Sequence, residues 1–184
     1  MEEKKEISFQ YAIKAEQVGR KYMDMGLIEK GLEQYEEALK IFEEGERIEE
    51  SAKLCLEMSK IWKEAQNYTK AVDFVLRALE YFPKIPNYIQ DPSYLESLKE
   101  AADLFWIKRD FEKSEEYLRE CMIVLEELRL EGKEDMKVDI MLRLSSICEM
   151  KGEKDACLDL LRQSILLFPS LSSSITTDSI LSTK

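Results

Sequence analysis

Small residues recur along this chain in four triplets that share one internal spacing. Within each triplet the gaps are twelve and seven residues, and successive triplets begin 40, 43 and 43 residues apart. Small side chains at a fixed repeat indicate places where two helix backbones approach closely, and a repeat of this length is typical of stacked helical hairpins. The sequence therefore predicts an all-α solenoid of about four hairpins, with eight helices in a right-handed superhelix. The triplets are Gly19/Gly31/Ala38, Ser59/Ala71/Ala78, Ala102/Ser114/Cys121 and Ser145/Cys157/Ser164.

Apolar residues lie three and four positions apart through most of the chain, as they do on one face of a helix. Ser8 is the expected N-cap of the first helix. Pro83 and Pro169 are expected to end helices in the second and fourth hairpins, because proline lacks an amide donor and clashes with the preceding turn. Gly26 and Gly152 mark the turns of the first and fourth hairpins. The predicted repeat domain covers residues 1–169, with hairpins at about 8–46, 48–82, 93–130 and 134–168.

Two stretches are predicted to lie outside the hairpins. Residues 83–92 hold three of the four prolines and predict a fixed loop between the second and third hairpins. Residues 170–184 contain nine Ser or Thr in fifteen, so this C-terminal tail is expected to be disordered. Its apolar residues, Ile175, Ile180 and Leu181, could dock on a neighbouring surface.

Charge and hydropathy restrict the classes of partner. The formal net charge of −11 argues against nucleic acid, since phosphate binding depends on clustered Lys and Arg, and against anionic membrane surfaces. It favours a protein or peptide partner with basic residues. No apolar run approaches the ~20 residues that span a bilayer, and the charged N-terminus lacks the apolar segment of a signal peptide. We therefore expect no membrane insertion and a cytoplasmic location.

The sequence offers little for catalysis or metal binding. It contains no histidine, and its cysteines form no CxxC pair, so they are expected to be free thiols in the core. The adjacent glutamates, such as Glu36-Glu37, do not share a helix face and make poor acid/base pairs. There is no glycine-rich phosphate loop and no nucleophile motif. We predict no enzyme activity, no cofactor and no metal site. The cysteines are Cys55, Cys121, Cys148 and Cys157.

The repeat units resemble the tetratricopeptide repeat family over roughly residues 8–169. The family pattern places an apolar residue, Leu-Gly, Tyr, Ala, an aromatic residue and Pro at fixed offsets. These units are six to nine residues longer than the usual 34, as in the vesicle-fusion adaptor, kinesin-light-chain and bacterial peptide-sensor branches. The first two units match as Ala15, Val18, Gly19, Tyr22, Gly31, Tyr35 and Ala38, then Cys55, Met58, Ser59, Trp62, Ala71, Val75, Ala78 and Pro83. The last two match as Leu98, Ala101, Ala102, Phe105, Ser114, Leu118 and Cys121, then Met141, Leu144, Ser145, Cys148, Cys157, Leu161, Ser164 and Pro169.

The resemblance implies that the first helix of each unit lines a concave groove for a partner. Trp106 follows Phe105, which takes the core position, so Trp106 is expected on the groove wall as a binding hot spot. The alternative is that Trp106 packs against the loop of residues 83–92. The family's lysine, asparagine and arginine clamp for chaperone C-termini is absent, which argues against that class of partner. The implied groove residues are Glu16, Arg20, Met23, Leu56, Lys60, Lys63, Lys99, Asp103, Trp106, Leu142 and Arg143, of which Met23, Leu56, Trp106 and Leu142 are the apolar anchors.

The expected function is that of a non-enzymatic adaptor that holds a peptide or helix with basic and apolar residues. A second hypothesis is a structural subunit or self-associating protein that forms a homo- or hetero-oligomer through residues 154–168. That segment is apolar on nearly all sides and no capping helix follows it. A third hypothesis is a peptide-sensing regulator.

Overall fold

The computed structural model describes residues 2–128 and 132–167, with side chains from Glu6 onward. Eight helices make up most of these described residues. Two short 3-10 turns, at Phe82–Lys84 and Tyr88–Gln90, occupy the segment between the fourth and fifth helices. The helices are α1 (Glu2–Asp24), α2 (Ile28–Glu44), α3 (Ile48–Glu64), α4 (Tyr68–Tyr81), α5 (Pro92–Ile107), α6 (Phe111–Glu127), α7 (Lys133–Lys151) and α8 (Lys154–Leu167).

The helices pack as four consecutive hairpins: α1 with α2, α3 with α4, α5 with α6 and α7 with α8. The second helix of each hairpin also packs against the first helix of the next one, and α3 contacts α5. Each unit therefore buries its apolar face partly within itself and partly against its neighbour, which is the construction of a helical solenoid. The predicted all-α array of eight helices is confirmed.

One turn geometry closes all four hairpins. Gly26, Gln66, Arg109 and Gly152 occupy equivalent positions, and each has a positive φ, from 58° to 77°. The amide after each of them donates to the carbonyl five residues earlier, for example Leu27 to Tyr22 at 2.8 Å. This bond satisfies a helix-end carbonyl that would otherwise lack a donor. The sequence identified only the two glycine turns, because glutamine and arginine give no sign of a left-handed backbone.

The first two residues of each small-residue triplet mark the crossing of the two helices of a hairpin. A Cβ atom on Gly19 would lie 2.5 Å from the Tyr35 ring and 3.0 Å from the Gly31 carbonyl oxygen. In the second hairpin the Ser59 hydroxyl donates to the Ala71 carbonyl at 2.8 Å. The small side chains let the backbones come this close, as the sequence predicted.

Some predicted boundaries are wrong. Helix α1 begins at Glu2, so Ser8 lies inside the helix and is not its N-cap. Helix α6 ends at Glu127 and does not extend to Leu130. The loop after α4 is fixed by its two 3-10 turns, and Asp91 caps α5 by accepting a hydrogen bond from the Ser93 amide at 2.9 Å. Pro169 and the tail of residues 170–184 lie outside the described residues.

Candidate functional site

Most of the charged residues predicted for the groove form ion pairs within the chain, several of them between successive hairpins. In the first hairpin Arg20 donates to Glu16 at 3.1 Å and to Glu57 of α3 at 3.3 Å. Tyr35 donates its hydroxyl hydrogen to the other oxygen of Glu57 at 2.8 Å. Burial of the ring and the bond to Glu57 raise the pKa of Tyr35. These four side chains join α1, α2 and α3.

The same kind of pairing joins the second hairpin to the third. Lys60 donates to Glu96 at 2.6 Å, and Lys63 donates to Glu100 at 2.5 Å. Glu100 is only 6% exposed, and its second oxygen has no hydrogen-bond donor. Lys63 is therefore the countercharge of a buried carboxylate.

Between the third and fourth hairpins Arg143 of α7 pairs with Asp103 of α5 and with Asp139 of its own helix. The neighbouring carboxylates outweigh the effect of burial and raise the pKa of the Arg143 guanidinium. Because these charged side chains are already paired within the chain, fewer of the predicted groove charges are free to bind a partner. The ion pairs between hairpins connect the first helix of each hairpin to the first helix of the next one.

A cavity of about 380 Å³ opens among α3, α5, α6 and α7. Its floor is formed by small residues at the α5–α6 crossing, Ala102 and Ser114, and its walls include Trp106. The rim carries the paired ions described above. The mixture of apolar walls and a few polar groups is typical of a binding site. The lining residues are Lys63, Ala102, Asp103, Trp106, Ile107, Ser114, Leu118, Arg143 and Ser146.

Trp106 is half-buried on this cavity wall and packs edge-to-face on Phe111 of α6, with the ring centroids 5.2 Å apart. Neither this ring contact nor the cavity lining involves a residue of the loop 83–92, the alternative contact for Trp106. Trp106 lies fourteen residues along α5 from Pro92, which is about 21 Å of helix. Trp106 thus lies on the wall of this cavity, with its ring packed against Phe111.

A second cavity of about 420 Å³ continues along α5 toward its N-terminal end. Asp103 lines both cavities, and Lys60 and Lys99 line the second one. Six predicted groove residues therefore line the two cavities along α5. The sequence did not predict Ser114 and Leu118 of α6 as site residues, because the family register assigns the groove to first helices alone.

The apolar anchors do not form one surface. Leu56 is buried in the core and offers no surface to a partner, so this expected anchor is wrong. Met23 covers Gly31, where its thioether would lie within 2.8 Å of an added Cβ atom. Leu142 is exposed on α7. Periodicity could not separate Leu56 from a groove position, because α3 packs against helices on more than one side.

The four cysteines are free thiols. Cys55, Cys121 and Cys148 are buried as predicted, and burial raises the pKa of Cys55 and of Cys121 to about 12. Cys157 is only partly buried. The fourth hairpin is thus the one whose small-residue crossing is least covered.

Helix α8 exposes several apolar side chains and buries none of them fully, as the second hypothesis requires. Ser164 is the one buried residue of α8. Leu158, Ile165 and Leu166 are exposed. Within residues 2–128 and 132–167 no helix combines the length and the apolar character needed to cross a bilayer.

Comparison with known proteins identifies the fold and no partner. No family model matches the sequence, and no curated protein matches it. Among solved structures, BtubC from P. vanneervenii is 17% identical with a TM-score of 0.70; the match covers 86% of this chain and 63% of BtubC. A kinesin light chain of P. anserina with nearly identical TPR-like repeats is 16% identical with a TM-score of 0.66, over 90% of this chain and 77% of that one.

Aspartyl phosphate phosphatase F from Bacillus subtilis also matches, with 12% identity and a TM-score of 0.67. That match covers 92% of this chain but 43% of the phosphatase. At such identities the likeness concerns the fold alone. This chain spans less than two thirds of BtubC and less than half of the phosphatase.

Proposed function

We propose that this chain, whose fold is that of a tetratricopeptide-like repeat array, is a non-enzymatic adaptor that binds a partner protein beside Trp106. Repeat arrays of this kind generally bind other proteins on surfaces formed by successive units. The observation that carries the proposal is the cavity of about 380 Å³ with a half-buried tryptophan on its wall. Large aromatic side chains in such pockets dominate binding energies.

The cavity favours a partner segment with one apolar anchor and charged neighbours. The floor and walls accept the apolar side chain, while the rim holds Lys63, Asp103 and Arg143. Because these ions are already paired within the chain, they contribute more to orientation and selectivity than to affinity. Lys99 lines the neighbouring cavity of about 420 Å³ and has no ion pair in the described part of the chain, so it is the charge there most open to a partner carboxylate.

The absence of catalysis is part of the proposal. One structural neighbour is a phosphatase, but the cavity residues here give no support to such chemistry. The sequence has no histidine, and Asp103 is held by Arg143. A general base must be free to accept a proton from substrate. The geometry therefore supports binding and not proton transfer.

The test uses two aromatic truncations that remove the same ring–ring contact. Trp106→Ala removes the cavity wall, and Phe111→Ala removes its packing partner while leaving Trp106 in place. Proteins captured by each variant from a lysate of the source organism are identified and quantified by mass spectrometry. A partner that Trp106→Ala loses and Phe111→Ala retains supports the proposal.

Circular dichroism and thermal melting of both variants accompany the capture. If both variants lose the partner in proportion to their loss of stability, Trp106 is scaffold and the adaptor proposal fails at this site. Stabilisation of the fold by a short peptide would instead favour the peptide-sensing regulator.

A further inference from the structure

Both ends of the array expose the faces that bury one hairpin against the next. In α1 the exposed apolar residues Ile7, Tyr11 and Val18 lie four and seven positions apart, so they form one stripe along the helix. In α8 Leu158 and Ile165 are seven positions apart and exposed. The two stripes lie on the first and the last helix that the structure describes. They are called the α1 stripe and the α8 stripe below.

The repeat register shows what the α1 stripe is built to contact. The residues equivalent to Val18 in α3, α5 and α7 are Met58, Ala101 and Leu144, and all three are buried. These helices pack against the second helix of the preceding hairpin. Val18 is 39% exposed, and no helix of the described residues packs on this face of α1.

The contacts of Tyr11 confirm that the register holds in three dimensions. Tyr11 donates its hydroxyl hydrogen to Glu37 of α2, and the equivalent Tyr94 donates to the equivalent Glu120 of α6. Yet Tyr94 is buried and Tyr11 is exposed. Tyr94 packs against Phe82 and Tyr88 of the two 3-10 turns, whereas no described residue before α1 covers Tyr11 in this way.

The α8 stripe is the matching half of this interface. The residues equivalent to Leu158 in α2 and α4 are Leu32 and Val72, which are buried where α3 and α5 pack on those helices. Leu158 is 50% exposed, and Ile165 is 39% exposed. The α8 stripe is therefore equivalent to the surfaces of α2 and α4 that contact the first helix of the next hairpin.

We infer that a second copy of this chain docks head-to-tail, with its α1 stripe on the α8 stripe of the first. The junction repeats the contact already made at α2–α3, α4–α5 and α6–α7, so it is continuous with the established packing of the array. One pair of equivalent positions shows that the two stripes are complementary. At the α6–α7 contact, Lys151 of α7 pairs with Glu115 of α6. At the junction the equivalent residues are Met25, just after α1 of one copy, and Leu158 in α8 of the other, and both are apolar and exposed.

The contact uses different surfaces on the two copies, so it is heterologous. Such contacts extend into open filaments or close into rings rather than stopping at a dimer. This association is independent of the cavity at Trp106, and Trp106→Ala leaves it unchanged.

Sedimentation of the full chain over a wide concentration range tests the inference. The expected result is a mass that rises with concentration beyond that of a dimer. Val18→Glu and Ile165→Glu each place an unpaired charge in one half of the junction and weaken association by an order of magnitude or more. Each variant alone stays monomeric. Their equimolar mixture forms a dimer, because each supplies the half that the other lacks.

Ile123→Glu, at an exposed apolar position of α6, is the matched control and leaves association unchanged. Because all three positions are exposed, helical content and melting temperature stay close to those of the unmodified chain. A full chain that remains monomeric at every concentration overturns the inference. Dimers of Val18→Glu alone overturn it too, since they show an α8–α8 contact. Association that appears only after deletion of residues 168–184 assigns the α8 stripe to the chain's own tail.

Discussion

Lys63 of α3 donates a hydrogen bond at 2.5 Å to Glu100 of α5, a carboxylate that is almost completely buried. The family resemblance assigns Lys63 to a partner, whereas its described contact is within the chain. A buried carboxylate without its countercharge is destabilising, so the lysine is held at this position by the scaffold. The two roles are compatible, since Lys63 also lines the cavity at Trp106.

Lys63→Ala is expected to lower the free energy of unfolding by about 1–3 kcal/mol, because it leaves the Glu100 charge buried and unpaired. Urea denaturation measures the loss. Adding Glu100→Gln should recover much of it, since an amide is easier to bury than a lone carboxylate. Additive losses in the double variant would contradict the coupling.

Gly19→Ala is expected to destabilise the first hairpin by about 1–3 kcal/mol, because the added methyl group would overlap the Tyr35 ring at the α1–α2 crossing. This loss exceeds the gain in helix propensity. Thermal melting gives the comparison, with Gln17→Ala on the exposed side of α1 as the control. Equal stability of the two variants would show that the crossing can relax.

Thiol labelling of the native protein should begin at Cys157. The thiolate is the reactive form, and burial raises the pKa of Cys55 and of Cys121 to about 12. These two should react with maleimide only after unfolding in denaturant. Peptide mapping by mass spectrometry identifies the order, and Cys157→Ser should remove the fast phase. Early labelling of Cys121 would indicate local opening of the third hairpin.

The protein should lose stability in acid partly through Glu115. Hydrogen bonds from Lys151 and Arg119 lower the pKa of Glu115 below its usual value. A carboxylate with a lowered pKa stabilises the fold above its unfolded value of about 4.3, and this contribution is lost as the pH falls through the folded pKa.

Glu115→Gln should therefore cost up to ~1 kcal/mol at neutral pH and almost nothing in strong acid. Unfolding free energies at both pH values measure the difference. A cost that does not change with pH would assign Glu115 to packing alone. Glu116→Gln, on the exposed side of the same helix, is the control.

The sequence predicts the eight helices well because one physical constraint repeats in it. A small residue is needed wherever two helices cross, so the spacing from Gly19 to Gly31 recurs in every hairpin. The turns at Gln66 and Arg109 are harder to predict from the sequence. Helix-end hydrogen bonds impose their left-handed backbones, and residues other than glycine can also occupy such a position.

The candidate site is harder to predict than the fold. Register places Trp106 on the cavity wall, but it cannot show that Arg143 already has two carboxylate partners. The groove ion pairs between hairpins join residues 36 to 40 positions apart, and they depend on how far successive hairpins rotate. The burial of Leu56 is hard to predict for the same reason, because it depends on neighbouring helices and not only on the face of α3 where Leu56 lies.

The hydroxyl at the helix crossing changes sides between hairpins. Ser59 of α3 donates to the carbonyl of Ala71 in α4, whereas Ser114 of α6 donates to the carbonyl of Ala102 in α5. In these two hairpins the crossing keeps two small side chains and one hydrogen bond, whichever helix supplies the serine. A serine can therefore sit on either helix of a hairpin, and the two units differ in sequence at this point without any difference in how closely their helices approach.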